Sequence, residues 1–192
     1  MSYYAHPTAV VESKEIGDGT RIWHFAHVRE GSRIGRNCNL GKSVYVDIAA
    51  QIGNNVKIQN FVSIYRGVKI EDDVFVGPSV TFTNDLYPRS SSWDDEHIVP
   101  TLVCRGASIG ANSTIICGIT IGEYAMVGAG SVVAKDVPPN ALVLGNAAEM
   151  AGWVCECGKR LLDIVREKEQ EIIFKCTSCG KSIGVEKKWS RK

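Results

Sequence analysis

A six-residue beat governs most of this chain. Stepping by six from Val10 gives Ile16, Ile22, Val28, Ile34, Leu40, Val46, Ile52, Ile58, Ile64, Ile70, Val76 and Phe82. After a gap it gives Val103, Ile109, Ile115, Ile121, Val127 and Val133, so every position is Val, Ile, Leu or Phe. A second register two residues earlier, from Thr20 through Cys38, Val56 and Val80 and again from Ala107 to Ser131, is mostly small or β-branched. Inward positions at i and i−2 mark a short strand, because strand side chains alternate faces. A glycine often follows the large residue, as at Gly17, Gly35, Gly41, Gly53, Gly77, Gly110, Gly122 and Gly128, and is expected to let the backbone turn a corner. Three such pieces close a triangular coil, and stacked coils pair as parallel strands around a continuous aliphatic core. The pattern predicts four coils from Val10 to Phe82 and nearly two more from Val103 to Val133, a prism roughly 25–30 Å long. A period of six is no multiple of 3.6, and the segments are rich in Val, Ile and Gly, so a helix is a poor reading of 10–135.

The beat stops at Thr83-Asn84-Asp85 and returns at Val103. A repeat protein gains stability from each coil it keeps, so an excursion of about twenty residues costs ordering entropy for little core. It holds Pro88, Arg89, Trp93, Asp94, Asp95, Glu96 and His97, a mixture suited to reaching a neighbouring subunit or covering a pocket. A flat-sided prism has no cleft of its own, so a pocket needs a loop or a groove between two prisms.

Composition narrows the class. Lys plus Arg number 22 and Asp plus Glu 21, a net charge of +1 with 44% hydrophobic residues, which gives no reason to expect nucleic acid as a partner. The N-terminal stretch has no apolar core of a signal peptide and no long apolar run occurs, so the chain reads as cytoplasmic and without a membrane span. Of seven cysteines, Cys38 falls in the inward register, while Cys104 and Cys117 fall in corner or outward positions. Cys155, Cys157, Cys176 and Cys179 lie in two glycine-backed turns, "CECG" and "CTSCG". Four thiols at this spacing suit a structural tetrahedral zinc, with "LLDIV" and "EIIFKC" as a hairpin between the turns. A module this small needs such a staple.

The expected architecture is therefore all-β: a parallel β-helix over 1–150 with an extended loop over 84–102, then a zinc-ribbon-like module over 151–192. The hexapeptide beat resembles the left-handed β-helix acyltransferases, and the left hand is implied by that resemblance alone. More specific pieces resemble the UDP-2-acetamido-3-amino-2,3-dideoxy-glucuronate N-acetyltransferases: "SYYAHPTAVV", "RIWHFAHV", "VKIQNFVSIY", "GPSVTFTNDLYPR", "GASIGANSTIICGITIGEYAMVGAGSVV" and "KDVPPNALVLGNAAEMAGW". The likeness covers roughly residues 1 to 153; the cysteine module lies outside it.

The resemblance implies acetyl-CoA as co-substrate, a nucleotide-sugar acceptor and a homotrimer with active sites between subunits. It gives Asn84 the role of orienting the acceptor amine, with the coenzyme A thiolate taking the proton finally. The plainer reading of Asn84 is a strand end closed by an Asx turn. His24 and His27 compete as the general base; His24, Lys42 and Asn60 recur at eighteen-residue spacing on one outward corner, which makes His24 and Asn60 candidate substrate contacts. Arg66 and Arg89 are the cations available for a carboxylate or diphosphate. Gly128, Ala129 and Gly130 offer backbone to the pantetheine amides and Lys135 a charge to a phosphate. Gly145, Asn146 and Ala147 match the family's cofactor segment, which more often reads Gly-x-Pro-Ala; the proline is missing here. Alternatives are a dTDP-3-amino-deoxyhexose N-acetyltransferase and a non-catalytic β-helix assembly subunit. A carbonic anhydrase on this fold needs a His-x4-His metal pair, which the four histidines do not supply.

Overall fold

The structure, a computed structural model, describes residues 2–92 and 94–189. Trp93, counted above in the loop, and Ser190, Arg191 and Lys192 lie outside the described residues. The chain is all-β, with two short 3-10 turns, Asp95–His97 and Lys187–Trp189, and no α-helix among the described residues.

Two- and three-residue strands stack into three faces. The first face has eight parallel rungs, from Tyr4–Ala5 to Ala141–Gly145, and continues antiparallel through Ala148–Val154 and Arg160–Leu161. The second has seven rungs, Val10–Val11 to Val132–Val133, and the third six, Glu15–Ile16 to Thr120–Ile121. The prism is therefore about eight coils tall on its first face, not six, and roughly 34 Å long. The extra rungs lie beyond the beat at both ends, where Ala5 pairs with Ile22 and Val127 with Val143.

From Ile22 to Val133 both inward registers are buried, including Ile58, Ile64 and Ile70, each at most 1% exposed. Polar members of the small register bond to backbone: Thr20 Oγ1 donates to the Gly35 carbonyl and accepts from the Cys38 N–H. At the start the beat misleads. Val11 pairs with Val28 and turns toward the core, while Val10 is 53% exposed. Only seventeen residues separate these partners, so the first coil is one residue short and its large position moves from Val10 to Val11.

The corner glycines also act differently from expectation. The left-handed backbone conformation falls three residues after the large position, at Phe25, Asn37, Ser43, Asn55, Phe61, Asp73 and others. The glycine directly after the large residue is instead required by stacking. A Cβ on Gly41 would stand 2.8 Å from the backbone nitrogen of Asn60, and one on Gly77 would stand 2.7 Å from that of Ala111. These glycines let coils approach; they do not turn the chain.

After Cys155 the chain forms a three-stranded antiparallel sheet, Asp163–Glu167, Glu171–Lys175 and Ser182–Glu186. The expected hairpin is its first two strands. Ile58→Ala is expected to lower unfolding free energy by about 2–5 kcal/mol, transfer plus cavity cost, and Val10→Ala by less than about 0.5 kcal/mol. Urea denaturation of the two variants measures this, and a larger loss at Val10 would contradict the register.

Candidate functional site

The excursion leaves the prism at the corner between the second and third faces. Ile70 pairs with Val103, 33 residues on, where Ile52 pairs with Ile70, 18 residues on. The insertion is thus 15 residues rather than twenty, and the third face resumes at Thr101. Its mouth is closed by the Val99 N–H donating to the Asn84 carbonyl at 2.9 Å. The loop folds back on the coil below: Arg66 Nη1 meets Asp95 Oδ2 at 2.8 Å, and the Thr101 N–H donates to Gly67 O. On the coil above, the Gly118 N–H donates to Pro100 O. Cys117, expected in an open corner, is therefore only 3% exposed.

Asn84 is half-buried at that mouth, and its side-chain amide has no hydrogen-bond partner among the described residues. Next to it, Asp85 Oδ1 accepts from the Tyr87 N–H. Its Oδ2 is buried without a hydrogen bond and faces His97 Nδ1 at 4.0 Å, too long for one. This carboxylate–imidazole pair went unseen in the sequence because its members lie twelve residues apart in an irregular loop. Below the mouth, Asp47 gathers four donors: the Tyr45 hydroxyl at 2.9 Å, the Ile48 N–H at 2.8 Å, the Arg66 N–H at 3.2 Å and Arg29 Nη1 at 3.4 Å. The eighteen-residue spacing of Arg29 and Asp47 was the available signal. Arg89 is exposed and among the described residues reaches only the carbonyl of Pro88.

His24 and Asn60 sit on a different corner, between the first and second faces. His24 stacks on His6 with centroids 3.5 Å apart; desolvation first, then the neighbouring His24, lowers the His6 pKa. Asn60 Oδ1 accepts from the Lys42 N–H, and Lys42 Nζ lies 5.9 and 5.7 Å from the rings of Phe25 and Phe61. The polar ladder thus exists, and it holds coils together. Within one chain the width of the second face separates this corner from Asn84.

Gly128, Ala129 and Gly130 share that corner. The N–H groups of Gly128 and Gly130 already donate to Val143 O and Ala111 O, which leaves the Ala129 N–H for a ligand. Gly145 donates to Ser131 Oγ, and Asn146 bridges to Val132, so this segment lies across the second face. Lys135 is on the second-to-third corner, exposed. Asn84, Arg66 and Lys135 therefore share one corner, and His24, Asn60 and the glycines share another.

The four C-terminal sulfurs converge within 4.8 Å of one another. Cys155 and Cys179 sulfurs are 3.5 Å apart, Cys157 and Cys176 sulfurs 3.6 Å. A tetrahedral metal with sulfur bonds of about 2.3 Å spaces its ligands by roughly 3.8 Å, so the set fits a metal such as zinc. The Cys179 backbone N–H, the largest influence, helps draw Cys176 down to about 6, while burial pushes Cys155 up to about 12.

Residues 13–47, 49–84 and 100–135 match the family described as bacterial transferase hexapeptide (six repeats). The chain belongs to this family. It is 51% identical over 158 residues, 82% of each chain, to a dTDP-3-amino-3,6-dideoxy-alpha-D-galactopyranose 3-N-acetyltransferase of Aneurinibacillus thermoaerophilus. A galactoside acetyltransferase solved in complex with coenzyme A is 26% identical, with a TM-score of 0.57 and 66% of each chain covered. A solved GDP-perosamine N-acetyltransferase from Caulobacter crescentus, 22% identical with a TM-score of 0.54, shares the fold over 79% of this chain and 58% of its own. The chain is accordingly an acyltransferase.

Arg66→Met is expected to leave global stability within about 1 kcal/mol, since an exposed ion pair contributes little, while releasing the loop. Limited proteolysis should then cut within 85–98 several-fold faster; an unchanged rate would show that Arg66 does not hold it.

Proposed function

We propose that this hexapeptide-family transferase moves the acetyl group of acetyl-CoA onto the 3-amino group of a nucleotide-linked 3-amino sugar. The observation that carries the reading is the unpartnered Asn84 amide at the mouth of the excursion, in a chain 51% identical to a sugar 3-N-acetyltransferase. The amine must be neutral, aligned and close to the thioester carbonyl, and alignment alone supplies several orders of magnitude. Asn84 Oδ1 accepts one amine hydrogen and so aims the nitrogen lone pair. It cannot take the proton, which leaves with the departing thiolate as thiol. The amide's Nδ2 and the free Ala129 N–H are donors of the kind that steady an oxyanion.

The dTDP-linked acceptor is favoured over the UDP-glucuronate type. The relative named above acts on a dTDP sugar. A glucuronate carboxylate needs a cation in the site, and of the two candidate arginines Arg66 already faces the Asp95 carboxylate, which a second carboxylate would have to displace. A 6-deoxy sugar makes no such demand; Arg89 then remains for the diphosphate.

The placement of candidates on two corners supports a homotrimer. His24, Asn60 and the 128–130 glycines of one chain would face Asn84 and Arg66 of the next, which completes a site no single prism contains. The division of the chain into 1–150 and 151–192 and its cytoplasmic location remain part of this proposal; no helix of the described residues is long and apolar enough to cross a membrane. The cysteine cluster we assign to one structural zinc held by Cys155, Cys157, Cys176 and Cys179, with no open position for catalysis.

With acetyl-CoA and a panel of dTDP- and UDP-linked 3-amino sugars, thiol release should be fastest with a dTDP-3-amino-dideoxyhexose. Asn84→Ala should reduce kcat by about 10²–10³ with an unchanged melting transition. Preference for the UDP-glucuronate acceptor, or near-normal turnover without Asn84, would overturn the assignment. Metal analysis should find one zinc per chain, and Cys176→Ser should lose it and loosen the ribbon; a ribbon that keeps its protease resistance without metal would remove the zinc from the account.

A further inference from the structure

The ribbon's first strand, Asp163–Glu167, is an open edge. The sheet runs from it through Glu171–Lys175 to Ser182–Glu186, and among the described residues no other strand pairs with it. Burial stops one strand short of that edge. On the inner face of the sheet Ile172, Phe174, Ile183 and Val185 are buried, while all five residues of Asp163–Glu167 are exposed. Ile164 pairs with Phe174 and shares its face, but is 55% exposed against 7% for Phe174. Leu162, just ahead of the strand, is 72% exposed. An apolar edge strand with free backbone groups is a template for another strand.

A bulge decides which strand fits. Ile164 pairs with Phe174 and Arg166 with Ile173, so Val165 is the extra residue. In a regular strand, residues 163 and 166 point to opposite faces. Here Asp163 stands opposite Lys175 and Arg166 opposite Ile173, which puts both charges on the outer face. Ile164 and Glu167 stand opposite Phe174 and Ile172 on the inner face. The edge is therefore complementary to itself. An antiparallel copy related by a two-fold axis at Ile164 sets the two Ile164 side chains together and Asp163 of each strand opposite Arg166 of the other. Within their own chain the side chains of Asp163 and Arg166 have no hydrogen-bond or ion-pair partner among the described residues, Lys175 included.

We infer that Asp163–Glu167 docks on the same strand of a second copy of this chain and joins two three-stranded ribbons into one six-stranded sheet. Charge complementarity selects this occupant. Edges that stay single carry charges that repel a copy; this one carries one charge of each sign in the order that attracts it. Two opposite-charge cross-strand pairs and a shared apolar centre are the contacts that stabilise such a ladder. The contact is isologous, the same patch on both chains. It lies wholly in the ribbon, outside the hexapeptide repeats, and so adds a two-fold axis to whatever ring the prisms form. With the three-chain ring proposed above, the assembly has six chains.

The test is sedimentation equilibrium on the full chain: wild type, Ile164→Asp, Asp163→Arg, Arg166→Asp and the double swap Asp163→Arg with Arg166→Asp. Wild type should have twice the mass of Ile164→Asp. Each single reversal sets like charges opposite at both pairs and should weaken the association about tenfold or more. The double swap restores opposite charges and should recover wild-type association. A ribbon that had merely unfolded would not be rescued by the swap, so lost contact and lost fold are separated. Equal masses for wild type and Ile164→Asp would overturn the inference and leave the edge to a partner other than this chain. A swap no better than the single reversals would also overturn it. The ratio of two does not depend on the size of the ring, so a prism that forms no trimer would overturn the trimer reading and leave this inference standing.

Discussion

Outside its turns, each coil satisfies its strand backbone through the coils above and below it. The Tyr45 N–H reaches Val62 O, the Lys57 N–H reaches Val74 O, and so on along every face. Polar backbone groups this close to a dry core must be paired, so the stack cannot tolerate a misplaced coil. Close approach then dictates the glycines after the large residues, and the aliphatic registers follow from the narrow interior. The same constraint makes the prism a poor enzyme by itself, because a continuous ladder leaves flat sides and no concavity.

The candidate functional groups therefore collect where the ladder is interrupted or ends. At the interruption, fifteen added residues are tied down by Arg66–Asp95 and by Val99 on Asn84, which presents a polar amide beside an otherwise sealed corner. At the end, the first face runs past the last coil into an antiparallel pair, Ala148–Val154 with Arg160–Leu161, and carries the ribbon back against the prism. The ribbon has little core of its own, chiefly Ile172, Phe174, Ile183 and Val185, which is why four convergent sulfurs matter to it.

The core was legible because its period is enforced by stacking: Ile22 to Val133 fall where the beat puts them. Legibility failed where the period was not the controlling term. Val10 yields to Val11 because the terminal coil, with one neighbour, tolerates a missing residue. The glycines were assigned to turning when stacking distance selects them, and the left-handed corner positions are filled by Asn, Ser, Asp and even Phe. The site was only half readable. Asn84 is visible as the point where the beat stops, but Asp85 and His97 meet through an aperiodic loop, and Cys117 is buried by a segment seventeen residues upstream.

The most direct measurement of the central claim is the density of a ternary complex with coenzyme A and a dTDP-linked 3-amino sugar. The account predicts the sugar 3-amino nitrogen within about 2.6–3.2 Å of Asn84 Oδ1, in a crevice whose other wall is the His24 corner of a neighbouring chain. An amine bound away from Asn84, or a site completed inside a single chain, would contradict it.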